Sequence, residues 1–122
     1  MLKILLASCM CLIGLSQVAI AGDSDVVGVK VRASSSGFGF DVTLRHGDEG
    51  RGHYADRWEI VGPDGTVYGA RILLHPHENE QPFTRSKSGV KIPVGVKSVE
   101  IRAGAKPHGL GGKTMHVNLP GR

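Results

Sequence analysis

The chain has 122 residues and a formal charge of +4, with 15 Lys and Arg against 11 Asp and Glu. That length suits one compact domain. The basic residues (Lys30, Arg45, Arg57, Arg71, Lys91, Arg102 and Lys113 among them) are scattered between acids, whereas nucleic-acid binding asks for a clustered basic stripe with exposed aromatics.

In chain order the first feature is a leader. Lys3 supplies a positive start, residues 4–15 are almost wholly apolar, and Ala19-Ile20-Ala21 has the small-x-small form of a cleavage site. This is the pattern of a secretory signal peptide cut after Ala21, and it is too short for a stable membrane span. Residues 22–122 then make a single domain of 101 residues, periplasmic or secreted. Leu6-Ala7-Ser8-Cys9 has the look of a lipoprotein cleavage box, but only eight residues precede Cys9. A charged start plus an apolar stretch of about 7–15 residues does not fit in that space. Both cysteines, Cys9 and Cys11, fall in the leader. The processed chain is therefore expected to lack disulfides, thiolate metal sites and cysteine nucleophiles.

Beyond the leader, alternation of period two recurs. Val27, Val29 and Val31 form one inward set over 26–33. Phe38, Phe40, Val42 and Leu44 form the next over 38–45, and Trp58 and Ile60 a third over 56–61. Tyr68, Ala70, Ile72 and Leu74 suggest a strand over 67–74, and Val90 and Ile92 a shorter one over 88–92. Val99, Ile101 and Ala103 mark 97–103, and Met115, Val117 and Leu119 mark 113–119. Between them lie turn residues: Ser34-Ser35-Ser36-Gly37, the hairpin turn Gly62-Pro63-Asp64-Gly65, and the glycines at 109, 111 and 112. No segment keeps a helical period.

Seven short strands with frequent turns predict an all-β fold. The expected form is an immunoglobulin-like or fibronectin-like antiparallel β-sandwich, with a small barrel as the other arrangement.

The histidines are read against that map. His46 and His53 bracket the loop HGDEGRGH, His75 and His77 open the loop after the fourth strand, and His108 lies in KPHGLGG. In an immunoglobulin-like sandwich these three loops leave the same end. Five imidazoles are thus expected within reach of a common ion. His75 and His77 would be the central pair, since residues i and i+2 of an extended segment point to one side. Asp48, Glu49, Glu78 and Glu80 are candidate further ligands, or acceptors for the second ring N–H. Imidazole without thiolate favours copper or zinc. The alternative is that these are ordinary loop histidines that hydrogen-bond the backbone.

Other segments bear on function less directly. Trp58 is expected in the core, with Tyr54 and Asp56 stabilising the loop before it. Gln81-Pro82-Phe83-Thr84-Arg85-Ser86 can cover the core edge or bind an anion. Ser86 and Ser88 lack a nucleophile-elbow context, and no constellation points to an enzyme.

The run RHGDEGRGHYADRWEIVGPDGTVYGARILLHPHENEQPFTRS, followed by HGLGG, resembles a family of small exported bacterial immunoglobulin-like proteins, a likeness that carries no activity. More loosely, His46…His53-Tyr54 and His108-Gly109 are similar to the histidine segments of the superoxide reductase iron domain. The resemblance implies a sandwich with loop histidines. Three positions before His108 stands Ala105, so the thiolate of that family's Cys-x-x-His-Gly element is absent and iron chemistry does not carry over. The sulfur-carrier subunits of thiosulfate oxidation share the general sandwich and a similar stretch between the second and third strands.

Two functional expectations follow. One is a copper- or zinc-binding module using His75, His77, His46, His53 and His108. The other is a non-catalytic structural or protein-interaction module, with a periplasmic protein partner met through Tyr54, Phe83 and Arg85.

Overall fold

A computed structural model describes residues 23–122; the leader, its cleavage site and the Cys9 box lie outside the described residues. Seven strands follow in order: β1 (Asp25–Ser34), β2 (Gly37–Arg45), β3 (Ala55–Val61), β4 (Val67–Ile72), β5 (Phe83–Val90), β6 (Ser98–Ala105) and β7 (Gly109–Asn118). All pairings are antiparallel. They build two sheets, ordered β1-β2-β5 and β4-β3-β6-β7. The expected sandwich is the observed fold, and the two separate sheets set the barrel aside. In antibody constant domains the fourth strand joins the sheet of the first, second and fifth. Here β4 pairs with β3 instead. Among the described residues no helix is long and apolar enough to cross a membrane.

The core lies between the sheets. Phe38, Phe40, Val42 and Leu44 of β2 face Trp58 and Ile60 of β3 and Val99, Ile101 and Ala103 of β6, all buried. The period-two reading of these three strands holds. A buried aromatic removes roughly 150–250 Å² from water, at about 25 cal/mol per Å², so Trp58 and Phe40 dominate the cohesion of the two layers.

Two inward sets change phase. Val27 is exposed and Val26 buried, because a bulge between Val26 and Gly28 inserts one residue into β1. An inserted residue flips every side chain before it to the other face. In the fourth strand Tyr68 and Ala70 are half-buried as expected, but Ile72 and Leu74 are exposed and Leu73 is buried. The strand ends at Ile72, and the N–H of Leu73 donates to the Asp56 carbonyl at 2.9 Å. That bond ties the Leu73 backbone to β3, with the Leu73 side chain inward.

Two boundaries also move. β5 begins at Phe83 rather than 88, because its first half presents polar side chains that mask the period. They pair across the sheet: the hydroxyls of Thr43 and Thr84 lie 2.7 Å apart, and Ser86 donates to Asp41 at 2.5 Å. β7 begins at Gly109 within the glycine-rich stretch. Gly112 has φ +78°, and a Cβ there would meet the Ser24 carbonyl at 2.3 Å. Glycine is what allows β1 and β7 to approach. The Pro63-Gly65 turn forms as expected, with Gly65 at φ +88° and its N–H donating to Gly62 at 3.0 Å.

Candidate functional site

Strand register gathers three loops at one end. Leu44 pairs with Phe83, Arg57 with Ile72, and Ala55 with Ala105. The segments 46–54, 73–82 and 106–108 therefore leave the same edge of the sandwich.

A buried carboxylate organises the first two. Asp48 Oδ1 accepts the N–H of Ala55 at 3.0 Å and makes a short contact with His46 Nδ1. Asp48 Oδ2 accepts the N–H of His77 at 2.7 Å. Gln81 spans the same pair of loops: its Oε1 accepts the His46 N–H at 2.9 Å, and its Nε2 donates to the His77 carbonyl at 3.0 Å. Glu78 accepts the Gly50 N–H at 2.5 Å. The third loop joins through Lys106, whose N–H donates to the Tyr54 carbonyl at 2.9 Å.

On this frame sit the five imidazoles. The rings of His46 and His53 have centroids 4.9 Å apart, and those of His53 and His108 5.9 Å apart. His75 and His77 are 4.8 Å apart. His77 also stacks on Phe83 at 4.0 Å with an 11° interplanar angle. His46 and His77 are buried, at 3% and 7% exposure; His53 is half-buried, and His75 and His108 are exposed. His75 Nδ1 lies 3.2 Å from the Pro76 carbonyl, so the ring donates there. Three buried ring nitrogens, His53 Nδ1 and both of His77, have no hydrogen-bond partner among the described residues. Burial holds the His77 pKa below the ordinary histidine value, with the charges of Arg85 and His75 adding to it; Asp48 and Glu80 pull the other way.

The rings of His46, His53 and His108 thus lie near one another, and those of His75 and His77 lie near each other. Among the described residues, no three His, Cys, Asp or Glu side chains stand arranged to hold one ion as they lie. The acids take other roles. Both oxygens of Asp48 are engaged within the frame, and Glu78 ties the loops through Gly50. Glu80 pairs with Arg85 at 3.1 Å, and Glu49 is exposed. Of the residues expected to meet a partner, Tyr54 and Phe83 are buried, at 7% and 2%. Tyr54 closes the loop base and Phe83 carries His77, so only Arg85 of that set reaches the surface. Gln81, which links two loops, escaped sequence reasoning; a lone glutamine before proline gives no pattern to find it by.

Beside His75 and His77 runs an open groove of ≈ 690 Å³, bordered also by Arg51, Glu78 and Arg85. His77 is among the residues that line it.

No family model and no solved structure matches the chain. Over 97 residues it is 38% identical to a protein of Halomicrobium mukohataei described as a "Putative lipoprotein". The match covers 79% of this chain and 47% of that protein, so the chain spans about half the length of the curated relative it matches.

Proposed function

We propose that the protein is an exported module that binds copper or zinc through the histidines of this loop end. One observation carries the reading: five imidazoles stand on three loops at one end, and three of their buried nitrogens lack a hydrogen-bond partner among the described residues. A buried polar atom without a partner calls for an explanation, and an ion is one of the few on offer. Asp48 adds support. A carboxylate on one ring nitrogen of a histidine is the usual outer partner of a metal-bound imidazole. The described residues include no cysteine, and an all-imidazole donor set suits Cu(II) and Zn(II).

Export is supported by the leader-like start of the chain and by the lipoprotein description of the relative. A place in the cell envelope, periplasmic or secreted, follows from this reading.

The test is titration of untagged protein with Cu(II) and with Zn(II), followed by calorimetry. Saturable binding tighter than about 10 μM, roughly −7 kcal/mol, is expected. Absence of such binding for both ions removes the proposal.

A second reading, a protein-interaction module, draws on Ile72 and Leu74, which expose 57% and 77% of their surface next to His75. It expects Ile72→Ser with Leu74→Ser to leave ion binding intact and to abolish capture of a cell-envelope protein.

A further inference from the structure

At the end of the sandwich opposite the histidine loops, the structure assigns a binding site for a phosphate group, built around Arg122 and Lys91. This site is independent of the metal-binding reading. Ser34 pairs with Gly37 and Phe38 with Val90, whereas Leu44 pairs with Phe83 beside the histidine loops. The β1–β2 turn and the connection after β5 therefore lie at the far pole.

An open groove of ≈ 510 Å³ runs there, lined by Ser34, Ser35, Phe38, Lys91, Pro93 and Arg122 among others. That size is ordinary for a small-molecule site. Lys91 and Arg122 are cations, and no Asp or Glu lines the groove. Asp64, in the β3–β4 turn, lines a separate groove and accepts the Thr66 N–H at 3.0 Å.

The Arg122 guanidinium is held in place. Its Nη2 donates to the Ile92 carbonyl at 2.8 Å. Its Nη1 donates to the Val96 carbonyl at 3.0 Å and also to that of Pro93. Its Cζ lies 4.9 Å from the centre of the Phe38 ring. Carbonyls and a ring face orient a guanidinium without cancelling its charge. The Nε–H and one N–H of Nη2 donate to nothing among the described residues. Lys91 makes no hydrogen bond or ion pair among them either.

An arginine already fixed in one geometry loses little rotamer freedom when a ligand arrives. Its remaining N–H groups suit an oxyanion, and guanidinium meets phosphate with charge-assisted hydrogen bonds. A phosphate monoester carries a charge of about −1.5 to −2 at pH 7, which matches the two cations of the groove. The Ser35 hydroxyl, on the same wall, is a further donor.

NMR titration of isotope-labelled, untagged protein with inorganic phosphate and with glycerol phosphate tests this. Saturable shifts are expected at Ser35, Lys91 and the Arg122 Nε–H, with the histidine loops unmoved. Lys91→Glu should weaken phosphate binding about tenfold or more, as a reversed charge beside an oxyanion does. Lys91 holds no bond to lose, and an unchanged thermal midpoint verifies that the fold is kept. Arg122→Lys, which keeps the charge and loses the planar fork, should weaken binding about threefold or more. Acetate, with a single charge, should bind more weakly than either phosphate. The order of the two phosphates tells whether the groove walls add contacts, and in either order the site stands. Shifts that fail to saturate by about 10 mM, that survive Lys91→Glu, or that acetate reproduces at equal affinity overturn it. A response confined to the histidine loops overturns it too. None of these results bears on the binding of Cu(II) or Zn(II).

Discussion

The Asp48 carboxylate accepts the backbone N–H of His77 at 2.7 Å across 29 positions of sequence. The same group accepts the N–H of Ala55 and faces His46. One buried side chain thus satisfies donors from two loops and the start of a strand, in a place water does not reach. Removing it strands three donors. Asp48→Ala is expected to cost about 3 kcal/mol of stability, since each buried donor left alone costs about 1–3 kcal/mol and relaxation recovers part. Asp48→Asn, which keeps one acceptor oxygen, should cost less. Urea unfolding of both variants checks the order.

Histidine 77 makes the metal-free fold sensitive to acid. Its pKa lies below the ordinary value in the folded chain, chiefly through burial. The unfolded chain therefore takes up a proton first as pH falls through about 6.5. Stability is full above that pH and declines as pH drops towards the folded-state pKa. His77→Phe keeps the contact with Phe83 and has nothing to protonate. Urea midpoints measured between about pH 8 and pH 5 should fall more steeply for the wild-type chain than for this variant, with metal removed by chelation in both.

Trp58 is fully buried, and its Nε1 has no hydrogen-bond partner among the described residues. The residue contributes through volume and not through its N–H. Trp58→Ala should cost about 3–5 kcal/mol. Trp58→Phe, which removes an unsatisfied donor along with part of the ring, should cost clearly less. Thermal and urea unfolding measure both.

The phase change after β4 gives a sharp pair of outcomes. Leu73→Ser should destabilise by about 2–5 kcal/mol, the range for emptying a buried leucine site. Leu74→Ser should stay within about 0.5 kcal/mol, as exposed substitutions do. The simple alternation of the sequence expects the reverse.

That reversal shows what the sequence made legible and what it did not. Strands β2, β3 and β6 were readable because each buries one face against the other sheet, and their apolar residues alternate without interruption. Strand count and loop placement followed, and with them the gathering of His46, His53, His75, His77 and His108 at one end. The phase of β1 before Gly28 and of the chain after Ile72 was not readable. In both places one backbone event, a bulge or a bond to Asp56, shifts the register, and no residue type marks it. The roles of the acids were hidden for a related reason. Asp48, Glu78 and Glu80 look alike as neighbours of histidine, and only burial and bond direction separate a loop tie from a surface ion pair.

Gln81 both gives and receives a hydrogen bond between the two histidine loops, so its amide has one workable orientation. A carboxylate there would set a lone pair against the His77 carbonyl, which makes spontaneous deamidation or Gln81→Glu a break in the seam. Anyone grafting these histidine segments onto another scaffold must therefore carry Asp48 and Gln81 with them as one cassette. Moved singly, either loop leaves behind the partner that gives it shape.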